Sequence, residues 1–341
     1  MKQVWISKAG APEVLRLQES KLTSLRSGEV RIRVEAAGVN FADILGRMGM
    51  YPDAPPIPYV PGYEVAGTVE AVGGGAPDLK EGDKVFALTR FGGYSNTVIV
   101  PHKQVFRRLD WMSAEHGAAL PVNYLTAYLA LIVMGSLRAG DKVLIHAAAG
   151  GVGLAARDIC TIVGAETYGT ASPEKHDFLL VRGLHHPIDY RNLDYERVVK
   201  DLTGGHGVQL ILDPLGGVHW PKNYRLLMPT GRLIYFGMSS LANGKRRSLL
   251  QMARQIIMTP FHTPMRLMSD NKGVIGLNLG HLWQETALLQ KWMRQLVNWY
   301  DQALFRPHID QTFSLAEAEK AHHYLQDRKN LGKVLLIPER P

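Results

Sequence analysis

A glycine-rich turn is the segment whose residue types most directly suggest chemistry. His146-Ala147-Ala148-Ala149-Gly150-Gly151-Val152-Gly153 fits the pattern Ala-x-Gly-x-x-Gly at Ala148, Gly150 and Gly153. Gly150 would let the backbone approach a pyrophosphate, Gly153 would let a helix pack closely, and the helix N-terminus would offer free N–H groups. A simple loop is the alternative, but an apolar run precedes the turn and a helix-compatible stretch follows it. That context favours a dinucleotide site.

The residues that follow the second predicted strand bear on which dinucleotide would fit. An NAD site usually has Asp or Glu there, about 20 residues beyond the glycines, to hold the ribose 2′-hydroxyl. This chain has Gly169-Thr170-Ala171-Ser172, then Lys175, with Tyr190 at the end of the next candidate strand. A hydroxyl, a cation and a phenol suit a 2′-phosphate, so we expect NADPH. Ser172 could also cap a helix and Lys175 could be a solvated surface residue, and both readings can hold together.

Alternating strands and helices would position these residues. The first 110 or so residues alternate apolar and polar side chains between glycine- and proline-rich turns, which predicts strands. From residue 125 onward, short apolar runs separated by helix-compatible stretches predict βαβ units with a buried parallel sheet; these runs span residues 142–146, 166–170, 209–213 and 232–236. The end of the chain predicts a helix over 284–304, a short helix over 315–325 and a strand over 333–337. A β-rich domain is therefore interrupted by an α/β domain.

Composition excludes several classes of protein. The 341 residues suggest about two domains, and 46% hydrophobic with 21% charged residues is typical of a folded globular protein rather than a disordered one. Thirty-nine Lys and Arg against 31 Asp and Glu leave a net charge of +8, which could attract nucleic acid, an anionic membrane or a phosphorylated ligand. We expect no nucleic-acid partner, because no recognised binding module accompanies the charge.

The single cysteine, Cys160, narrows the chemistry further. One thiol forms no internal disulfide and builds no thiolate zinc site. None of the 13 histidines stands in a spacing that suggests a metal cage, so we expect no metal. The chain has no signal-peptide pattern and no run approaching the ~18–20 apolar residues of a membrane span. We therefore expect a reducing, cytoplasmic compartment.

Several separated motifs make the sequence resemble a known family from about Val30 to Pro338. It resembles the medium-chain dehydrogenase/reductase superfamily, in its zinc-free quinone oxidoreductase branch and, within that branch, the vesicle amine transport protein-like group. The resemblance rests on Gly38-Val39-Asn40-Phe41-Ala42-Asp43, Arg47-x-Gly49-x-Tyr51, Pro61-Gly62-Tyr63-Glu64-x-Ala66-Gly67, Asn123-Tyr124-Leu125-Thr126-Ala127-Tyr128, the 147–153 turn, Asp213-Pro214-Leu215-Gly216-Gly217 and Lys329-Asn330-Leu331-Gly332-Lys333-Val334.

The resemblance implies an α/β fold of two interleaved domains. A GroES-like β-rich catalytic domain would contain residues 1–124 and 274–341, and a Rossmann doubly wound parallel sheet would contain residues 125–273. The family also implies a homodimer through an edge strand of the Rossmann sheet. Together with the residue arguments above, it nominates as cofactor-binding residues Asn40, Thr126, Ala149, Gly150, Gly151, Val152, Gly153, Ser172, Lys175, Tyr190, Phe236, Leu277, Asn278 and Asn330.

Departures from the wider superfamily point to the reaction. Zinc alcohol dehydrogenases have a cysteine where this chain has Asn40 and a histidine where it has Tyr63, and neither an amide nor a phenol replaces those ligands. Alcohol oxidation needs a Lewis acid to stabilise the alkoxide. Without one, hydride transfer to a quinone or an α,β-unsaturated carbonyl is the easier reaction. Tyr51, which matches the tyrosine of related enoyl reductases, is the candidate proton donor, with lining of the cleft as the alternative. Asn40 is the second catalytic candidate, and Asp43 with Arg47 suits a structural i,i+4 pair.

A basic, methionine-rich segment over residues 240–270 is the feature that this reaction leaves unexplained. It could be a lid over the substrate, a dimer surface or a membrane-surface helix, and we do not expect membrane association because Met-rich faces more often line cores or clefts. Two functions remain open. The first is an NADPH-dependent quinone or enone reductase, and the second is an NADPH-binding protein with weak or vestigial catalysis that acts through partners or membranes.

Overall fold

The computed structural model describes residues 1–242 and 259–339. These residues divide into two compact units, the first with residues 1–125 and 279–339 and the second with residues 126–242 and 259–278. The central part of the basic, methionine-rich segment, residues 243–258, lies outside the described residues. Among the described residues no helix is long and apolar enough to cross a membrane.

The five runs predicted with bounds over 142–146, 166–170, 209–213, 232–236 and 333–337 form strands whose bounds agree within one residue, except that the fourth of them begins five residues earlier. In chain order the described strands are β1 (Lys2–Ile6), β2 (Leu15–Glu19), β3 (Glu29–Val39), β4 (Glu64–Val72), β5 (Lys84–Leu88), β6 (Thr97–Pro101), β7 (Val105–Arg107), β8 (Lys142–Ile145), β9 (Glu166–Ala171), β10 (His186–Asp189), β11 (Val208–Asp213), β12 (Leu227–Tyr235), β13 (Gly273–Gly276), β14 (Ile309–Ser314) and β15 (Lys333–Ile337).

The helices are mostly short, and those of the second unit alternate with its strands. The described α-helices are α1 (Phe41–Arg47), α2 (Ala114–Ala119), α3 (Pro121–Tyr128), α4 (Gly151–Val163), α5 (His176–Val181), α6 (Tyr195–Leu202), α7 (His219–Leu226), α8 (Pro264–Asp270), α9 (Thr286–Asp301) and α10 (Ala318–Gln326).

The first unit is built on a β-sheet from both ends of the chain. Its strand order is β14-β15-β3-β4-β5-β7, with β6 also paired to β3 and a separate β1-β2 hairpin. β15 pairs antiparallel with β3, so the carboxyl-terminal strand completes a sheet that the amino-terminal residues begin. Valine, isoleucine and alanine side chains from these strands form its buried core. This is the expected GroES-like, β-rich architecture.

The second unit is a doubly wound α/β domain, as predicted. Its six strands run parallel in the order β10-β9-β8-β11-β12-β13. The predicted second boundary, residue 274, is wrong by about one strand. β13 (Gly273–Gly276) pairs in parallel with β12, so it belongs to this sheet and the first unit resumes only at Leu279. A four-residue strand with two glycines has too little pattern to be assigned from the sequence.

Candidate functional site

The carboxyl edge of the parallel sheet collects most of the residues predicted to hold a cofactor. The strand order reverses between β8 and β11, and open α/β sheets bind ligands beside the carboxyl ends of the strands at such a switch point. The glycine turn follows β8 at this point. Candidates that follow the other strands at the same edge are Ser172 after β9, Tyr190 after β10, Phe236 after β12, and Leu277 with Asn278 after β13.

The glycine turn has the close packing that its sequence predicts. A Cβ on Gly153 would lie 2.5 Å from the Ala147 carbonyl oxygen and 2.6 Å from that of Ala148, so only glycine fits there. Gly150 caps α4 without a side chain, and its own Cβ would lie 3.2 Å from the Ala147 oxygen. The first turn of α4 therefore presents backbone N–H groups beside an open backbone surface. These residues fit a dinucleotide pyrophosphate.

Buried hydrogen bonds tie the glycine turn to the neighbouring strands. The Thr170 hydroxyl donates to His146 Nδ1 at 3.0 Å, and His146 Nε2 donates to Asn223 Oδ1 at 2.9 Å. Asn223 Nδ2 donates in turn to Asp213 Oδ2 at 2.7 Å. Because a carboxylate only accepts hydrogen bonds, the Asn223 amide turns its nitrogen toward Asp213 and its oxygen toward His146. That orientation fixes the histidine tautomer.

This network links the ends of β8, β9 and β11, on both sides of the switch point. Asp213 Oδ1 also accepts from the backbone N–H groups of Leu215 and Gly216, at 2.6 and 3.1 Å. Burial lowers the pKa of His146, so the imidazole is neutral near pH 7. Sequence reasoning gave no role to His146 or Asn223. His146 opens the turn segment and Asp213 opens a glycine motif, but nothing in the sequence marks Asn223 in α7.

The proposed 2′-phosphate residues lie on adjacent strands, as a shared subsite requires. Asp189 pairs with Ala171, so Ser172 and Tyr190 follow neighbouring positions of β9 and β10. Ser172 is buried at the start of a 3-10 turn whose last residue is Lys175, and its side chain hydrogen-bonds the Glu174 carboxylate rather than the backbone of the turn. No carboxylate ends β9.

Two acids do stand at this end of the sheet, and each has partners. Glu174 forms an exposed ion pair with Arg191 at 3.1 Å. Asp189 accepts from the Arg191 backbone and from the Asn192 side chain. The Glu174 ion pair therefore joins the loops that follow β9 and β10, whereas Asp189 is held by residues of its own loop.

The remaining cofactor candidates divide between the two units. The Leu277 N–H donates to the Tyr235 oxygen at 2.8 Å, and the Phe236 N–H to the Asp213 oxygen at 3.1 Å, so both segments are fixed to the sheet. Thr126 is buried in α3, which precedes the strands of the parallel sheet in the chain. Asn330 belongs to the first unit, where its Nδ2 donates to the Gly332 oxygen at 2.9 Å.

In the first unit, Asn40 caps α1 among buried polar groups. Its backbone N–H donates to Asp43 Oδ2 at 2.8 Å, and the Gly62 N–H donates to Asp43 Oδ1 at 2.9 Å. Its side chain contacts Glu64, to which Nδ2 donates at 2.9 Å, and Lys333, whose Nζ donates to Oδ1 at 2.7 Å. The Asp43 carboxylate thus fixes the backbone of two motif segments, and Glu64 with Lys333 fixes the Asn40 amide.

The predicted direct pair between Asp43 and Arg47 does not form. Arg47 donates to His322 Nδ1 at 3.3 Å, His322 Nε2 donates to the Tyr94 oxygen at 3.1 Å, and the Tyr94 hydroxyl donates to Asp43 Oδ2 at 3.1 Å. Helical spacing brings Asp43 and Arg47 near each other, but the buried phenol and imidazole satisfy them instead. Burial lowers the pKa of His322 well below its usual value, so this imidazole, like that of His146, is neutral near pH 7.

Tyr51 lies within a group of phenols. Its ring centroid is 6.2 Å from that of Tyr63 in an edge-to-face arrangement, and Tyr63 packs in turn against Phe91 at 5.1 Å. Burial, with the charges of Asp53 and Asp43, raises the pKa of Tyr51 above its ordinary value. The phenol therefore keeps its proton near pH 7.

Comparisons with known proteins show which family the chain belongs to. Residues 26–110 match the alcohol dehydrogenase GroES-like domain, and residues 182–336 match the zinc-binding dehydrogenase family. The synaptic vesicle membrane protein VAT-1 homolog of Rattus norvegicus is 43% identical over 312 residues, covering 91% of this chain and 77% of the relative. The chain belongs to the medium-chain dehydrogenase/reductase superfamily, in its VAT-1-like group.

Other members of this superfamily carry oxidoreductase names. The quinone oxidoreductase of Homo sapiens is 31% identical over 346 residues, covering 99% of this chain and 98% of the relative. The crystal structure of Escherichia coli quinone oxidoreductase complexed with NADPH superposes with a TM-score of 0.87 at 27% identity, covering 99% of this chain and all of that one. The superfamily assignment makes this chain a member of an oxidoreductase family.

One cluster in this dehydrogenase/reductase chain has the composition of a metal site. Among the residues that the structure describes, ligand atoms of Glu13, Glu319 and His323 lie within 4.8 Å of one another. The cluster is in the first unit, and His323 Nε2 already contacts Glu13 Oε1 at 2.9 Å. It contains neither Asn40 nor Tyr63, the positions at which zinc alcohol dehydrogenases carry ligands.

Proposed function

We propose that this chain is an NADPH-dependent reductase that transfers hydride to a quinone or an α,β-unsaturated carbonyl without zinc. The observation that carries the proposal is the carboxyl edge of the parallel sheet. There a glycine turn meets the switch point, and the neighbouring strand ends in Ala171-Ser172 rather than a carboxylate. The NADPH complex of a related quinone oxidoreductase supports the same cofactor.

The residues of the second unit would bind and orient the cofactor. Backbone N–H groups of Ala149, Gly151, Val152 and Gly153 would hold the pyrophosphate. Gly150, whose own N–H donates to the Ala147 oxygen at 2.9 Å, would leave room for it by lacking a side chain. The 2′-phosphate would meet Ser172, Lys175 and Tyr190. Thr126, Phe236, Leu277 and Asn278 would line the nicotinamide end.

Asn40 and Tyr51 of the first unit would act on the acceptor. Bound NADPH would supply hydride from its nicotinamide ring, and negative charge would then develop on the acceptor oxygen. Tyr51 would donate its phenolic proton to that oxygen, because a phenol is protonated near pH 7. Asn40 donates a hydrogen bond to the same group or to the cofactor, and Asn330 supports the cofactor from the loop before β15.

Zinc has no role in this proposal. The Lys333 ammonium lies 2.7 Å from Asn40 Oδ1, so a positive charge already stands where a divalent cation would have to bind. An amide and a phenol are also poor substitutes for the thiolate and imidazole ligands that zinc prefers.

The test is acceptor turnover. The protein is mixed with NADPH or NADH and a panel of quinones and enones, and the loss of the reduced-nicotinamide absorbance is followed. We expect turnover with NADPH, weaker turnover with NADH, and a loss of about a hundredfold in kcat for Tyr51→Phe. Tyr59→Phe, which removes a neighbouring hydroxyl and keeps the ring that packs on Phe91, is the matched control. Equal kcat in Tyr51→Phe and wild type would exclude Tyr51 as the donor.

The alternative is an NADPH-binding protein that acts through a partner or a membrane. Its support is an exposed apolar group beside residues 243–258, in which Phe261, Met265 and Met268 are 84%, 76% and 72% exposed. The VAT-1 homologues also carry the name of synaptic vesicle membrane proteins. NADPH-induced thermal stabilisation without turnover of any acceptor, together with flotation on anionic vesicles that Met265→Ser/Met268→Ser abolishes, would favour this alternative.

We also propose that the reductase is a cytoplasmic homodimer joined through β13. This strand lies at an edge of the parallel sheet, where pairing with a second copy would extend the sheet. Light scattering after gel filtration should give a dimer mass, and Ile275→Lys should give a monomer. A monomeric wild type would contradict the proposal.

A further inference from the structure

The first residue of β15 is a lysine that the sheet buries completely. Lys333 is 2% exposed, and Glu64, the first residue of β4, is fully buried. β15 and β4 flank β3, and Asn40 directly follows the last residue of β3. The register pairs Val334 with Val39, so these three side chains meet at the ends of three adjacent strands.

Glu64 has a site prepared for it. A Cβ on Gly38 would overlap the Glu64 carboxylate, so glycine at this position of β3 leaves the space that the carboxylate fills. Glu64 Oε2 accepts from the Val122 N–H at 2.7 Å. Its Oε1 accepts from both Asn40 Nδ2, at 2.9 Å, and Lys333 Nζ.

These contacts determine which way the Asn40 amide faces. An ammonium group only donates, so Asn40 Oδ1 must face Lys333, and a carboxylate only accepts, so Nδ2 must face Glu64. Both neighbours therefore specify one orientation. Nδ2 carries two N–H bonds and Glu64 takes one of them, while the other has no acceptor among the residues that the structure describes. Toward a bound molecule, this second N–H makes the Asn40 side chain a hydrogen-bond donor.

Lys333 polarises the Asn40 amide, and the Glu64 carboxylate beside Nδ2 acts in the opposite sense. A positive charge 2.7 Å from Oδ1 draws electron density away from the amide nitrogen, which polarises the remaining N–H bond. Asn40 keeps 8% of its surface exposed, whereas Lys333 and Glu64 keep almost none. Of the three residues, Asn40 is thus the one that can reach a ligand.

We propose that Lys333 and Glu64 are positioning residues that hold Asn40 as a hydrogen-bond donor to the carbonyl oxygen of the acceptor. This inference rests on the proposed reductase function. When hydride adds to a conjugated carbonyl or a quinone, the electron pair moves to the carbonyl oxygen, which becomes an enolate or phenolate and then takes a proton. A donor aimed in advance at that oxygen stabilises the charge as it forms. The pair therefore selects acceptors that carry such an oxygen.

The experiment compares variants that keep or remove the charge at Lys333. Lys333→Met/Glu64→Gln removes both charges at similar volume, a change that buried ion pairs often tolerate. Lys333→Arg keeps a group that only donates. Each variant is measured for its Tm, its Kd for NADPH, and its kcat and KM for a quinone that the wild type reduces.

We expect Lys333→Met/Glu64→Gln to lose about tenfold in kcat, with the NADPH Kd within about twofold of wild type, and Lys333→Arg to retain most of the kcat. An unchanged kcat in Lys333→Met/Glu64→Gln, or a loss of kcat in Lys333→Arg equal to that of the double variant, would overturn the proposal. If that pair does not fold, Lys333→Gln/Glu64→Gln takes its place, and failure of both to fold would show a purely structural ion pair. A wild type that reduces no acceptor would instead refute the reductase function itself.

Discussion

The two units each contain a buried polar network that ends on an aspartate, and the two networks differ in charge. In the second unit, Asp213 is satisfied by backbone N–H groups and the Asn223 amide, with neutral His146 beyond. In the first unit, the Asp43 network reaches Arg47 through Tyr94 and His322, and the adjacent Glu64 binds the Lys333 ammonium.

The difference separates two tasks. The network of the second unit, which holds the Asp213 carboxylate but no cationic side chain, connects backbone segments at the ends of three strands, and so it fixes the glycine turn on which a dinucleotide would lie. The network of the first unit, which holds both acidic and basic side chains, orients side chains, the Asn40 amide above all. Changes in the second unit should therefore alter cofactor affinity, and changes in the first unit should alter turnover.

The largest effect should follow Asn223→Ala. This change leaves Asp213 Oδ2 and His146 Nε2 without their partner and removes one of the two partners of the Tyr195 hydroxyl. Each buried polar group that loses its hydrogen-bond partner costs roughly 1–3 kcal/mol, so the free energy of unfolding should fall by about 3 kcal/mol. The NADPH Kd should rise while kcat at saturating NADPH stays near wild type. Asn298→Ala, on the exposed side of α9, is the control for urea melts and fluorescence titration. A loss confined to kcat would break the division of tasks.

Gly153→Ala should have the next largest effect. The added methyl group meets two carbonyl oxygens at 2.5 and 2.6 Å, which forces the turn and α4 apart at about 1–3 kcal/mol. NADPH affinity should fall at least about tenfold in a titration. Gly74→Ala, where the nearest heavy atom would be 3.9 Å away, should change neither affinity nor stability. Equal behaviour of the two variants would show that the close packing is unimportant.

Ser172→Asp should change the relative affinity of the protein for NADPH and NADH. A carboxylate at the end of β9 would repel a 2′-phosphate and accept from a 2′-hydroxyl, so NADPH should lose about tenfold in affinity and NADH should gain. Ser172→Asn, similar in size and uncharged, is the control. Wild-type protein that NADH stabilises as strongly as NADPH would contradict the assignment of Ser172, Lys175 and Tyr190.

The smallest predicted effect concerns pH and is common to both units. Burial lowers the pKa of His146 and His322, so below the unfolded pKa of about 6.5 the unfolded chain binds protons that the folded chain does not. Stability is therefore fully present above pH 6.5 and is lost as the pH falls, by up to about 1.4 kcal/mol per histidine and pH unit. His146→Gln and His322→Gln should each flatten the slope of unfolding free energy between pH 6.5 and 5.5. An unchanged slope in both would mean that neither histidine is neutral in the fold.

The sequence predicted the fold well because its signals are local. The glycine turn, the apolar runs and the motifs of the family lie within short segments, and the α/β and GroES-like units follow from them. The relations between distant residues were not predictable. Asn223 joins His146 to Asp213, and His322 joins Arg47 to Tyr94, only after strands and helices have come together. The direct Asp43–Arg47 pair failed for the same reason, since helical spacing gives proximity but not the competing partners.

Hydride transfer is the central claim, and isotope labelling tests it most directly. NADPH carrying deuterium at the transferable position of C4 is incubated with the protein and an enone, and the product is examined by mass spectrometry and NMR. We predict one deuterium at the β-carbon of the reduced product, with one NADPH consumed per acceptor. NADPH binding without any deuterium in the product would contradict the reductase function and favour a cofactor-binding protein.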